Sequence, residues 1–204
     1  CIYLKDEHKD NQRYLLDCEK FLGQKIEILT CDKYESSVDK VIEKTKYMSG
    51  VNGARCTKEL KKQVRLDWQR HDDIHVFGMT VDEQKRVDDL IDNENDIEIW
   101  APLIDANYSK DDCFRVIEEN NIRLPEMYHL GYPNNNCIGC VKVSSVGYWN
   151  KIRKDFPEVF KKIRSEVLER IDIFKDDDLY PIKPEKLVTD VRKALSKEDI
   201  VLSD

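Results

Sequence analysis

Cys137 and Cys140 stand three positions apart inside Leu130–Lys142, in a turn rich in Gly, Pro and Asn. A turn of that composition can point both sulfurs the same way, toward a metal, a cluster or each other. A third cysteine, Cys56, sits in the phrase Gly53–Lys62, where Arg55, Lys58, Lys61 and Lys62 gather positive charge on an acidic chain. That cluster suits a phosphate-bearing ligand, and it equally suits a solvated helix face. Farther along, Gly78 closes an apolar run before Met79-Thr80-Val81-Asp82-Glu83-Gln84-Lys85-Arg86. A strand-ending glycine lets the backbone approach a ligand, and a guanidinium such as that of Arg86 can hold phosphate or sulfate with two parallel hydrogen bonds. Asp6-Glu7-His8 offers two carboxylates and an imidazole for metal ligation or acid–base work, and His129 is a candidate fourth ligand for Zn²⁺. Cys18 and Cys113 fall on apolar helix faces and read as core, whereas Cys1 and Cys31 carry no signal.

These groups must be positioned by the elements between them. Cys1-Ile2-Tyr3-Leu4 reads as a strand already under way. The pattern then predicts a helix with Tyr14, Leu15, Cys18 and Leu22 on one side, stopped by Gly23. Lys25–Leu29 alternates as a strand does. Ser36-Ser37 is placed to cap a helix bearing Val38, Val41, Ile42 and Thr45, which Ser49–Gly53 breaks. A helix follows over 57–70, with Leu60, Val64 and Trp68 at spacing four. Ile74–Gly78 and Ile97–Trp100 read as strands, and Ser109 with Asp112 forms a variant capping box ahead of Cys113, Phe114 and Ile117. Beyond the cysteine turn the chain becomes helical: Phe156, Phe160, Ile163, Val167, Ile171 and Phe174 make one apolar stripe, and Leu187, Val191 and Leu195 another.

Strand and helix alternate through roughly the first 120 residues, which predicts an α/β fold: a Rossmann-like parallel sheet flanked by helices, with a helical C-terminal cap. In such sheets ligands sit at the carboxyl ends of the strands. Those ends are Asp6-Glu7-His8, the Gly78 loop and Pro102-Leu103.

The 204 residues suit one compact domain or a domain with a small appendage. A net charge of −7 argues against a general nucleic-acid coat, while tRNA stays open as a partner. No apolar run approaches the roughly 18–20 residues needed to span a membrane, and no signal-peptide pattern opens the chain. Seven cysteines, an odd number scattered among helices, do not make a disulfide framework, so a reducing, cytoplasmic setting is expected.

Four phrases in order resemble the phosphoadenosine phosphosulfate (PAPS) reductase family of the adenine-nucleotide α-hydrolase-like fold. Asp6-Glu7-His8 is similar to the family's Thr-Gly-x-Glu-His-Pro turn without the Thr, Gly and Pro. Arg55-Cys56-Thr57 with Lys58, Lys61 and Lys62 resembles its Arg-x-Cys or Cys-Cys phrase, and Gly78–Arg86 its Gly-x-Arg-x-x-Glu-Ser-x-x-Arg loop. Pro102-Leu103, Asp111-Asp112, Tyr128, Gly131 and Cys137-x-x-Cys140 resemble its closing segment. The likeness covers about residues 1–145. It implies a nucleotide-binding domain over 1–145 and a helical extension over 146–204, with the family's first strand and its Ser-Gly-Gly-x-Asp-Ser phosphate loop absent from this chain.

The resemblance further implies an adenine nucleotide, ATP or PAPS-like, held by Gly78, Arg86, Arg55, Lys58, Lys62, Glu7 and His8. Cys56, Cys137 and Cys140 would hold a [4Fe–4S] cluster with one open iron, or Zn²⁺, since Thr57 stands where a fourth thiolate would be. After Cys140 the sequence has no Cys, so the thiolate that attacks sulfate sulfur in sulfonucleotide reductases has no counterpart here. Adenylation-linked or sulfur-transfer chemistry on a small-molecule nucleotide is the expected activity, with a homo-oligomer as one expected assembly. The alternative is a non-catalytic nucleotide- or partner-binding module with a structural Zn site.

Overall fold

The computed structural model describes residues 1–50, 53–94 and 97–174, with side chains to Glu166. In chain order the elements begin with α1 (Asn11–Leu22), α2 (Val38–Thr45), β1 (Ser49–Gly50), β2 (Gly53–Ala54) and α3 (Gln63–Trp68). They continue with β3 (Ile74–Val76), α4 (Gln84–Asn93), β4 (Glu98–Trp100) and α5 (Pro102–Asp105). The last four are α6 (Lys110–Glu119), α7 (Glu126–His129), α8 (Val146–Asp155) and α9 (Pro157–Phe174). These fall into two compact units interleaved in sequence. Unit 1 is Cys1, Lys9–Leu29 and Lys62–Asn135; unit 2 is Ile2–His8, Thr30–Lys61 and the described chain from residue 136 onward.

Unit 1 contains a parallel strand pair, with Ile74 opposite Glu98, His75 opposite Ile99 and Val76 opposite Trp100. Parallel neighbours cannot be joined by a tight turn, and α4 supplies the crossover. A capping box between Thr80 and Glu83 starts that crossover. The expected Ser109–Asp112 box is present before α6: the Asp112 carboxylate accepts from the Ser109 N–H at 2.8 Å, and Asp112 N–H donates to Ser109 Oγ at 3.2 Å. Gly23 ends α1 at φ 62, a left-handed conformation that glycine adopts without steric cost. Arg13 ties α1 to the chain before α7. Its guanidinium grips both oxygens of Asp10 at 2.8 and 2.7 Å and donates to the carbonyls of Arg123 and Leu124, each at 3.0 Å.

The chain is thus a mixed α/β protein, largely helical, with a parallel sheet of two strands among the described residues. The runs Cys1–Leu4 and Lys25–Leu29 differ from expectation and do not extend it. Their backbone pairing amounts to a bridge, with Leu29 N–H donating to the Cys1 carbonyl at 2.7 Å. The alternation in Lys25–Leu29 finds no covering layer, and Ile28 stays exposed.

Unit 2 has its own core of Leu4, Tyr34, Val38, Val41, Ile42 and Leu60. Val38, Val41 and Ile42 make the i, i+3, i+4 stripe by which α2 faces that core. Ser36 and Ser37 are buried, yet neither caps α2 through its side chain; Val38 N–H donates instead to Asp6 Oδ2 at 2.7 Å. Ser36 has another task. Glu35 and Ser36 turn left-handed in succession, at φ 51 and 52, a conformation uncommon outside glycine. Ser36 Oγ accepts the Cys31 N–H at 2.9 Å and its carbonyl accepts the Lys5 N–H at 3.0 Å, which holds the turn.

The helix expected over 57–70 is present, but Thr57–Lys62 winds as a wider π-helical turn before α3. The stripe of the C-terminal helices buries Trp149, Ile152, Phe160 and Ile163. The side chains of Val167, Ile171 and Phe174, and the expected helix of Leu187, Val191 and Leu195, lie outside what is described.

Candidate thiol site

Cys56 and Cys137 are 81 positions apart, and both Cys56 and the Cys137–Cys140 turn belong to unit 2. Cys56 lies at the start of the helical stretch, one residue after Arg55, that continues through the π-helical turn; Cys137 follows the bend at Pro133-Asn134. Both pack against the core of Leu4, Val41, Leu60 and their neighbours, together with Cys31 and Val141. The sequence pattern gave no signal for Cys31. Its thiol donates to the Glu59 carbonyl at 3.8 Å, and a lone cysteine in an irregular segment has no spacing to betray it.

The thiols sense one another. Burial pushes Cys56 up, and negative charge on Cys140 pushes it further, against the Thr57 N–H and Lys142. Burial pushes Cys137 up to about 12, opposed by Lys61 and reinforced by Glu7, Cys140 and Asp6. At neutral pH both are protonated, so neither is a standing nucleophile. Burial and charge on Cys140 both disfavour thiolate at Cys56 and Cys137, a cost relieved by a thiophilic cation, which takes up the thiolates as the protons leave. The donor chemistry therefore fits a soft metal. Among the described residues no three His, Cys, Asp or Glu side chains are grouped to hold a metal ion as they stand.

The Asp6-Glu7-His8 turn lies beside the cysteines. Ile138 N–H donates to the Asp6 carbonyl at 2.8 Å, and Lys61 lies 3.8 Å from Glu7 Oε1. Burial pushes the Asp6 carboxyl up, with the Val38 N–H opposing and Asp39 adding. His8 sets its ring edge-on to Phe156, centroids 6.0 Å apart. The turn's backbone and charges thus bear on Cys137.

The candidate phosphate ligands divide between the units: Arg55, Lys58, Glu7 and His8 in unit 2, and Lys62, Gly78 and Arg86 in unit 1. Most of the cations already face carboxylates. Arg55 pairs with Glu59 at 3.0 Å, Lys62 with Glu94 at 2.7 Å, and Arg86 with Glu83. Lys58 is exposed. A side chain at Gly78 would meet nothing within 4 Å, so the space beside the end of β3 is open. His129, at the end of α7, belongs to unit 1.

Two residues of the site escaped the sequence reading. Tyr148, in the first turn of α8, accepts the Cys140 N–H at 2.8 Å, and burial pushes its phenol up to about 12. Gly139 is buried at φ 71; an added Cβ would lie 2.4 Å from Ile163 Cδ1 and 3.0 Å from Val159 Cγ1. A glycine inside a Cys-x-x-Cys turn signals such a close approach, but the helix that approaches it is 20 residues downstream and invisible to local pattern. No family model matches the chain, and no curated protein or solved structure is significantly similar to it. Among the described residues no helix is long and apolar enough to cross a membrane.

Proposed function

We propose that this is a PAPS reductase-like protein that binds an adenine nucleotide and uses Cys56, Cys137 and Cys140 as one thiol site for a [4Fe–4S] cluster or Zn²⁺, in adenylation-linked or sulfur-transfer chemistry. The observation that supports the reading is that Cys56 and Cys137, 81 positions apart, pack against one core in unit 2, with charge on Cys140 acting on both. Those are the residues of the family-like phrases, and the Asp6-Glu7-His8 phrase bonds to the same turn. The parallel pair β3–α4–β4, with Gly78 directly beyond β3, supports a Rossmann-like arrangement with nucleotide at the strand ends. Binding one metal through three thiols takes the loss of their protons. Metal content should therefore climb with pH.

The test is anaerobic purification followed by metal and iron analysis, with calorimetric titration of ATP. The expected result is stoichiometric zinc, or iron with broad visible absorbance, and its loss in Cys137→Ser. Unchanged metal content in Cys137→Ser refutes the assignment. A second reading, a non-catalytic module with a structural Zn site, is favoured by the ion pairs that neutralise Arg55, Lys62 and Arg86. ATP binding without turnover, in a protein holding zinc, would select it.

A further inference from the structure

The Cys137–Cys140 turn is held from outside. Cys140 N–H donates to Tyr148 Oη at 2.8 Å, and three residues later the Trp149 indole N–H donates to the Val143 carbonyl at 2.7 Å. Between the cysteines, Gly139 lies in the left-handed region at φ 71, and its bare Cα lets Ile163 and Val159 of α9 close over it. Trp149 is buried below these contacts, with the Tyr148 ring edge-on to it at 5.4 Å. The three anchors bracket Cys140 from positions 139 to 143, and all belong to α8 or α9. In a turn of this kind the backbone amides set where the sulfurs point. An acceptor that takes the second cysteine's N–H thereby fixes the turn before a ligand arrives.

We infer that Tyr148 is a positioning residue that, with the Gly139 contact to α9, presets the Cys137–Cys140 turn. Helices α8 and α9 are then part of the thiol site's construction rather than a lid over it. The inference rests on the proposed thiol site for its purpose, but its geometry stands apart from any metal.

The experiment uses the full chain with Tyr148→Phe, which keeps the ring and removes only the hydroxyl. Amide hydrogen exchange is followed without metal, and Co²⁺ is then titrated as the probe. Exchange over 139–142 should quicken roughly 2- to 10-fold while amides of α2 keep their wild-type rates, as expected for loss of one hydrogen bond. Co²⁺ affinity should fall by a similar factor. Unchanged exchange over 139–142 overturns the inference. Quickening spread evenly through α2 and α9 also overturns it, because it would mark a general loss of packing. If wild-type protein binds no Co²⁺ through thiolate, the proposed metal site fails, and the exchange result still decides the role of Tyr148.

Discussion

Unit 2 and unit 1 bury their apolar side chains to very different degrees. In unit 2, Leu60 and Ile152 are each 0% exposed and Trp149 is 1% exposed. In unit 1, Ile74, Val76 and Trp100 stand on neighbouring positions of the strand pair and are all more than half exposed, as are Leu16, Phe21 and Leu22 of α1. Of the large exposed apolar side chains among the described residues, Val146 alone lies in unit 2. Parallel sheets are ordinarily covered on both faces, so unit 1 leaves part of its strand pair bare although it buries Met127, Tyr132 and Val87 elsewhere. Ionic and polar ties such as Arg13 with Asp10 take up part of the task. Cys56, Cys137 and Cys140 sit in the unit that buries more of its apolar side chains. A site whose groups carry raised pKa values needs surroundings that do not yield, and packing provides them.

Mutation should expose the contrast most strongly at the tryptophans. Trp149→Ala removes a fully buried ring and should cost about 3–5 kcal/mol in denaturant unfolding. Trp100→Ala removes a half-exposed ring from unit 1 and should cost less than about 1 kcal/mol. Equal losses at both sites would abolish the distinction.

Next in size is Gly139→Ala. A left-handed alanine costs about 1–2 kcal/mol, and forcing its Cβ against Ile163 adds about 1–3 kcal/mol. Urea unfolding should therefore show a loss of about 2–5 kcal/mol, whereas Gly78→Ala, with open space around it, should lie near zero.

Acid should separate the units by sign. Arg13 holds the Asp10 carboxyl down at about 2, against an ordinary 3.8, with the Glu126 N–H and Arg123 helping. A depressed carboxylate stabilises fully above its unfolded pKa, so that support for unit 1 is lost as pH falls from about 4 toward 2. Asp6 in unit 2 is pushed up by burial, so its protonation on folding favours the folded state as pH falls. Amide protection, taken relative to the intrinsic exchange rate at each pH, should fall in α1 before it falls in α2 as pH drops, and Asp10→Asn should flatten the α1 dependence. Loss of both together would contradict the assignment.

Local chemistry was legible where it decides structure within a few residues. Gly23 ends α1, Ser109 and Asp112 box the start of α6, and the β-rich runs at 74–76 and 98–100 pair as expected. What could not be read depends on distant partners. Ser36-Ser37 looked like a cap, but Asp6, 32 residues before Val38, does that work. Lys25–Leu29 had the alternation of a strand and no layer to pack on. The proximity of Cys56 to Cys140 was expected only through family resemblance, and Tyr148 carried no signal because one tyrosine at a helix start is ordinary.

The most direct test of the central claim is Co²⁺ titration of the wild-type chain beside Cys56→Ser, Cys137→Ser and Cys140→Ser, read by thiolate-to-cobalt charge-transfer absorption. One equivalent bound in wild type, with the band weakened or lost in each single variant, is the predicted result. A full-strength band in Cys56→Ser would contradict it, because the early thiol would then take no part in a site built by the late pair.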